Sequence, residues 1–181
     1  MTSLALPPYV ELVDAPMLTA GQRRSWTLCY QRCVSPARSE VVTHGGRHRV
    51  DALALDGTRV EFQLSPDSRW VAAAKERAHA AGVLWLFCAI NQHHDGRLRL
   101  FRQGSGVGFA WARPWMLPAE CNGRILLDLG RSAQVGAHVL LEVDSFDADR
   151  GQALGTGVLR GAQEFCRWLR NGEMLTPYLW R

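Results

Sequence analysis

The chain of 181 residues is poor in lysine. Lys75 is its only lysine, so 20 of its 21 basic residues are arginine. Arginine binds phosphate through paired hydrogen bonds and stacks on bases, so this bias suits a nucleic-acid partner. A GC-rich genome produces the same bias. The formal net charge of +4 permits a phosphate-bearing partner without requiring one.

The sequence also lacks a long apolar run and a recognisable signal peptide. No apolar stretch reaches the roughly 20 residues that a membrane-spanning helix needs. The first residues, 1–8, have no basic region ahead of their apolar positions, as a secretory signal would have. The sequence therefore predicts a cytoplasmic protein without a membrane partner.

The five cysteines are an odd number at unrelated spacings, which argues against a disulfide framework. Cys29 and Cys33, followed by His44 and His48, approximate the spacing of a two-cysteine, two-histidine zinc site. No short finger hairpin is evident between the two pairs. One interpretation of these four residues is a zinc site that stabilises an interaction protein. The other is that the cysteines are buried thiols and the histidines lie on the surface.

The segment 48–65 indicates two strands joined at Asp56-Gly57, a strong hairpin signal. Its even positions are apolar: Val50, Ala52, Ala54, Val60, Phe62 and Leu64. Its odd positions include Asp51, Glu61 and Gln63. Burying the even face therefore brings three polar side chains together on the other face.

The register of this hairpin follows from the same alternation. A two-residue loop would place Asp51 opposite Phe62 and mix core with polar residues on each face. A three-residue loop, 55–57, with Gly57 left-handed, places Asp51 across from Glu61. Opposed Cβ atoms lie roughly 4.5–5.5 Å apart, so one divalent cation could bridge the two carboxylates. An ordinary half-exposed hairpin with scattered charges is the alternative.

The rest of the chain indicates an α/β fold. Helical spacing follows the hairpin from about Ser65 to Gly82, and the apolar run 83–90 indicates a strand buried on both faces. The residues 93–96 indicate a turn that joins this strand to 98–101. Two further strands are predicted at 124–129 and 138–144, and a helix at 161–171 that ends at Gly172.

We expect one domain over residues 1–181, with a mixed central sheet flanked by helices. Its core spans about residues 25–145, and a C-terminal helix and tail span about 150–181. The apolar tail 177–181 could dock on the body of the protein or on a second copy, so a homodimer is one of two alternatives.

Four short motifs resemble one known family. They are His48-Arg49-Val50-Asp51, Val60-Glu61-Phe62-Gln63-Leu64-Ser65, Glu76-Arg77 and Leu84-Trp85-Leu86-Phe87. Over roughly residues 40–90 they resemble the competence protein CoiA-like nuclease family of the PD-(D/E)xK, restriction-endonuclease-like superfamily. The resemblance implies that Asp51 and Glu61 are the ligands of Mg²⁺ or Mn²⁺. It places Gln63 where many members carry a catalytic lysine.

Auxiliary residues follow from the same resemblance. Family members often carry a His or Glu on a helix ahead of the hairpin, and residues 25–31 contain neither. Alternative positions for that residue are Glu40, His44 and His48. Lys75 is a reserve candidate for the catalytic lysine and lies with Arg77 on the next predicted helix. The alternative for Lys75 is an ordinary solvent-exposed position on that helix. A further acid could come from Asp128 or Asp144, unless these are ordinary strand residues.

The resemblance therefore implies a metal-dependent nuclease that hydrolyses DNA phosphodiester bonds. Asp51, Glu61 and Gln63 would be its catalytic residues, and Mg²⁺ or Mn²⁺ its cofactor. The alternative is a catalytically weak or inactive module of the same fold that binds DNA or a protein partner through its arginines.

Overall fold

The computed structural model describes residues 18–43, 48–65, 69–78, 82–104, 106–115 and 121–178. The helices are α1 (Ala20–Gln31), α2 (Arg69–Ala78), α3 (Ile90–His94) and α4 (Ala162–Asn171), and a 3-10 turn spans Pro36–Arg38. The strands are β1 (Ser39–Thr43), β2 (His48–Leu53), β3 (Arg59–Gln63), β4 (Val83–Cys88), β5 (Leu98–Gln103), β6 (Gly106–Ala112), β7 (Arg124–Ser132), β8 (Ala137–Asp149) and β9 (Gln152–Gly161). Within these ranges, no helix is both long and apolar enough to cross a membrane.

All nine of these strands form one sheet in the order β1-β2-β3-β4-β7-β8-β9-β6-β5. The β3–β4 and β4–β7 pairs are parallel, and the other neighbours are antiparallel. The prediction of an α/β fold with a mixed sheet is therefore confirmed. The helices are few and short beside this large sheet, so the flanking by helices is modest.

Strand β4 lies at the centre of the parallel part of the sheet. Every residue of Val83–Cys88 is buried, as predicted from its continuous apolar run. The predicted strand extended to Ile90, but the backbone turns at Ala89 and Ile90 begins α3. The predicted turn at 93–96 is therefore not a hairpin turn of β4, because α3 intervenes and β5 pairs with β6 instead.

One face of the sheet is covered by α1 and α4. The apolar even-numbered residues of β2 and β3 pack there against aromatic side chains of both helices, including Trp26, Tyr30 and Phe165. The end of α4 is also as predicted, because Gly172 follows it in the left-handed conformation with φ +68°. The predicted burial of the even face of the hairpin is thus confirmed.

The other face of the sheet packs largely against itself. Trp115, which follows β6, has its ring centroid 6.2 Å from that of Phe87 on β4 and 5.8 Å from that of Trp111 on β6. Three strands separate β4 from β6 in the sheet order. The sheet must therefore curve strongly, and this curvature encloses a second apolar core.

Asp128 joins α1 to the sheet. Its carboxylate accepts hydrogen bonds from Trp26 Nε1 at 2.7 Å, Tyr30 Oη at 2.8 Å and the Gly130 amide at 2.8 Å, and His138 Nε2 lies 2.8 Å away. Burial alone would raise the pKa of Asp128, but the nearby His138 and these hydrogen bonds outweigh it and lower the pKa below its usual value.

Strand β9 was missed by the sequence analysis. It lies within the segment of about 150–181, for which the sequence indicated only a helix and a tail, and it pairs with both β8 and β6. The tail packs on its own chain as far as Tyr178, whose amide donates to Leu159 O at 2.7 Å. Residues 179–181 lie outside the described residues.

Replacing Asp128 should destabilise the protein in a pH-dependent way. Asp128→Asn is expected to lower the free energy of unfolding at pH 7 by about 3 kcal/mol, because buried donors lose a charged acceptor. Since the folded-state pKa of Asp128 is lowered, its stabilisation is present above about pH 4 and is lost as the pH falls through that pKa. Urea unfolding at several pH values measures both effects. The exposed Asp147→Asn on β8 is the control, and equal stability of Asp128→Asn and wild type would contradict the account.

Candidate functional site

The loop between β2 and β3 has the predicted three-residue form. Ala54 N donates to Thr58 O at 2.9 Å, and Gly57 N donates to Ala54 O at 3.0 Å, which closes the loop over residues 55–57. Gly57 has φ +87°, the left-handed conformation that was expected for it. Asp56 stabilises the loop by accepting the Thr58 amide at 2.9 Å.

This loop fixes the register of the hairpin. Leu53 lies opposite Arg59 and Ala52 opposite Val60, where the paired positions of the two strands end. The predicted register is therefore confirmed at the loop end of the hairpin, and strand alternation assigns Asp51 and Glu61 to the same face. The Asp51 carboxylate turns towards β3, where its Oδ2 accepts the Phe62 amide at 2.7 Å.

The side chains of Glu61 and Gln63 are more deeply buried than polar residues on the solvent face of a half-exposed hairpin. Glu61 is 2% exposed and Gln63 is 6% exposed, whereas Asp51 is only partly buried. A buried carboxylate is costly unless a charge or hydrogen bonds compensate for its lost hydration. The ordinary hairpin with scattered, solvated charges therefore does not describe this face.

The compensating charge comes from Lys75 on α2. Its Nζ lies 2.9 Å from Glu61 Oε2 and 5.7 Å from the centroid of the Trp85 ring, and its side chain is 26% exposed. The solvated helix face, which was the alternative for Lys75, is wrong. The reserve candidate of the sequence analysis thus contacts Glu61 directly.

Glu76 holds α2 in the position that Lys75 needs. Its carboxylate accepts Trp85 Nε1 at 3.0 Å, the Asn122 amide at 2.9 Å and the Gly123 amide at 3.1 Å. These bonds tie the helix to β4 and to the segment that leads into β7. The sequence analysis noted Glu76 only within a family motif, and periodicity gives no signal for this positioning role.

Glu40 lies at the edge of the same face. In the β1–β2 register its position falls between Ser39 and Val41 and so across from Asp51. Its Oε2 is 3.4 Å from Arg49, and its φ is +50°, which is uncommon for a residue with a side chain. The pair is more than half exposed, so Glu40 is at most a solvent-side neighbour of Asp51.

The remaining candidates are not brought to this place. Arg77 is exposed and donates to Ala73 O of its own helix at 3.2 Å. Strand alternation directs His48 to the face opposite Asp51. Asp128 lies in the core that α1 covers, and Asp144 is exposed on β8.

The zinc pattern is not assembled in the described part of the chain. Cys29 and Cys33 are buried in the core, and Cys33 Sγ lies 2.6 Å from Cys166 Sγ. His44 falls outside the described residues. Among those residues, no three or more His, Cys, Asp or Glu side chains are grouped so that they could hold a metal ion.

The pair Asp51 and Glu61 remains suited to a hard divalent cation in its donor chemistry. Mg²⁺ commonly takes one or two carboxylates and completes its shell with waters and substrate phosphate oxygens. Strand alternation assigns the two acids to one face, where Asp51 is partly exposed and Glu61 is buried. These residues fit a two-carboxylate site but not a cage made of protein ligands alone.

Comparison with protein-family models, with curated proteins and with solved structures finds no match for this chain. The function must therefore be argued from the residues themselves.

Breaking the Lys75–Glu61 pair should cost stability through the carboxylate left behind. Lys75→Met is expected to lower the free energy of unfolding by about 1–3 kcal/mol, because the buried carboxyl group of Glu61 loses its ion-pair partner. Adding Glu61→Gln to that variant should recover much of the loss, which urea unfolding of the double-mutant cycle measures. Arg77→Ala, on the same helix, is the control. Wild-type stability of Lys75→Met would show that the pair is not coupled.

Proposed function

We propose that the protein is a metal-dependent nuclease that hydrolyses DNA phosphodiester bonds on a restriction-endonuclease-like core of the CoiA-like type. One observation carries the proposal: the hairpin register and strand alternation set Asp51 and Glu61 on one face of the sheet, and the only lysine of the chain contacts Glu61 at 2.9 Å. Two acids and a lysine on one sheet face are the groups that the family resemblance implies.

The order of elements supports the proposal. A helix, α1, precedes the hairpin, α2 follows it, and β4 then lies parallel to β3. Hairpin, helix and buried strand is the order that such a nuclease core requires. The acids come from the hairpin and the lysine from the helix that crosses to β4.

The second argument for the nuclease is that residue 75 is a lysine and not an arginine. The chain uses arginine at its other 20 basic positions, and arginine would suffice if only a positive charge were needed beside Glu61. A lysine ammonium can also release a proton, and the amine that remains can accept one, which a guanidinium does not do in proteins. Lys75 is therefore suited to the role of the catalytic lysine, whose usual place in the family motif Gln63 occupies.

The roles of the other residues follow from their chemistry. Asp51 and Glu61 would hold Mg²⁺ or Mn²⁺, which when bound supplies a polarised phosphoryl oxygen and a water of lowered pKa. A carboxylate accepts through two oxygens, so Glu61 can bind a cation and keep its contact with Lys75. Gln63 can orient a water but carries no charge, and Lys75 can exchange a proton with the reacting oxygens.

A non-catalytic module that binds DNA or a protein partner is the second candidate. The ion pair between Lys75 and Glu61 favours it, because the ammonium compensates the charge of the buried acid without a metal ion. In this alternative the acidic face would be structural, and the exposed arginines would make the contacts with the partner.

Cleavage of single-stranded, duplex and branched DNA in Mg²⁺ or Mn²⁺ tests the proposal. Asp51→Asn, Glu61→Gln and Lys75→Arg should each lower the cleavage rate about 100-fold or more, because each removes a ligand or the proton-exchanging group. Lys75→Arg is the sharpest variant, since it keeps the positive charge beside Glu61. The exposed Asp147→Asn is the matched control and should cleave like wild type.

Three results would each contradict a part of this proposal. Equal rates for the Asp51→Asn and Asp147→Asn proteins would place the activity elsewhere or in a contaminant. Full activity of Lys75→Arg would remove the proton-transfer role from Lys75. A wild-type protein that binds DNA and does not cleave it would establish the second candidate instead.

A further inference from the structure

A cavity of about 270 Å³ lies between the end of α3, the start of β5 and the turn that joins β7 to β8. Its wall includes His93, His94, Leu98, Arg99, Arg131 and Gln134. None of these residues belongs to the Asp51–Glu61 site. The volume is just below the roughly 300–1,000 Å³ that ligand pockets usually have, so it suits a small ligand.

The back of the cavity is held rigid by His93. Its Nδ1 lies 2.9 Å from Leu98 O and its Nε2 lies 3.0 Å from Ser132 Oγ. Because a carbonyl oxygen only accepts, Nδ1 is the donor, and Nε2 of the neutral ring accepts from the hydroxyl. Burial lowers the pKa of His93, which keeps the ring neutral. Ser132 has no exposed surface, so this pair positions the wall and is not a nucleophile with its base.

The charge of the cavity is positive. Arg99 and Arg131 line it, and the described residues of its wall include neither aspartate nor glutamate. The acid nearest in sequence, Asp95, is paired with Arg97 at 2.7 Å. Arg99 is held in place by a hydrogen bond from its Nε to Gly96 O at 2.9 Å, across the turn that leads into β5.

We propose that this cavity binds a phosphomonoester, either a free mononucleotide or the terminal phosphate of a nucleic-acid strand, through Arg99 and Arg131. Two guanidinium groups match a phosphomonoester, whose charge at pH 7 is about −1.5 to −2, better than a carboxylate of single charge. The proposal does not depend on nuclease activity, because the two sites share no residue.

Calorimetric titration of the full chain in EDTA tests this proposal without any contribution from a metal site. The probes are thymidine 5′-monophosphate, thymidine, inorganic phosphate, and one short oligonucleotide with and without its 5′-phosphate. We expect the monophosphate to bind and thymidine not to bind. Arg99→Gln with Arg131→Gln should weaken binding at least about tenfold. Arg102→Gln with Arg150→Gln, which removes the same charge from exposed positions, should not weaken it.

The probes also separate the sources of the phosphate. Tighter binding of the 5′-phosphorylated oligonucleotide than of the monophosphate assigns the cavity to strand ends, and the reverse assigns it to free nucleotides. The single variant Arg131→Gln, at an exposed position, preserves the test if the double variant does not fold. Equal binding of thymidine and its monophosphate, wild-type affinity in the Arg131→Gln and double variants, or no binding of any phosphate probe at millimolar concentration would overturn the proposal.

Discussion

The backbone hydrogen bonds that close the loop at residues 55–57 set the register on which the candidate site depends. Gly57 adopts the left-handed backbone conformation that this loop requires. A shift of the strand pairing by one residue would exchange the two faces of the hairpin. The loop is further secured to α4, because Asp56 Oδ2 accepts Trp168 Nε1 at 3.0 Å. Burial alone would raise the pKa of Asp56, but the hydrogen bonds from Thr58 and Trp168 lower it. The same register buries the apolar face under the helices and assigns Asp51 and Glu61 to the opposite face.

A second constraint is electrostatic. The register brings Glu61 into a buried place where its charge needs compensation, and α2 supplies it through Lys75. Glu76, the next residue, fixes that helix to β4 and to the start of β7. One turn of α2 therefore both positions the lysine and anchors it. An arrangement that holds an acid and a lysine in contact inside a fold is costly for stability alone, which is the physical reason to look for a chemical role.

The hairpin could be predicted because its signals are local: a strict alternation of apolar residues and an Asp-Gly turn. The end of α4 at Gly172 is local in the same way. The burial of Glu61 could not be predicted, since it depends on where α2, which follows β3 in the chain, packs on the sheet. Strand β9 was missed because its glycines, which have low strand propensity, are required by packing: a Cβ at Gly155 would overlap Ser145 O and the Phe109 ring. The contact of Lys75 with Glu61 likewise needs the tertiary structure, although the rarity of lysine in this chain was a usable signal.

The central claim is that Asp51 and Glu61 form one site for a divalent cation. A crystal structure of the protein with Mn²⁺, with the ion located by its anomalous scattering, tests this claim most directly. The account predicts one peak between the two carboxylates, within about 2.0–2.6 Å of an oxygen of each, the range for hard divalent cations. A peak bound elsewhere, or a fully soaked crystal with Lys75 still paired to Glu61 and no ion beside Asp51, would contradict it.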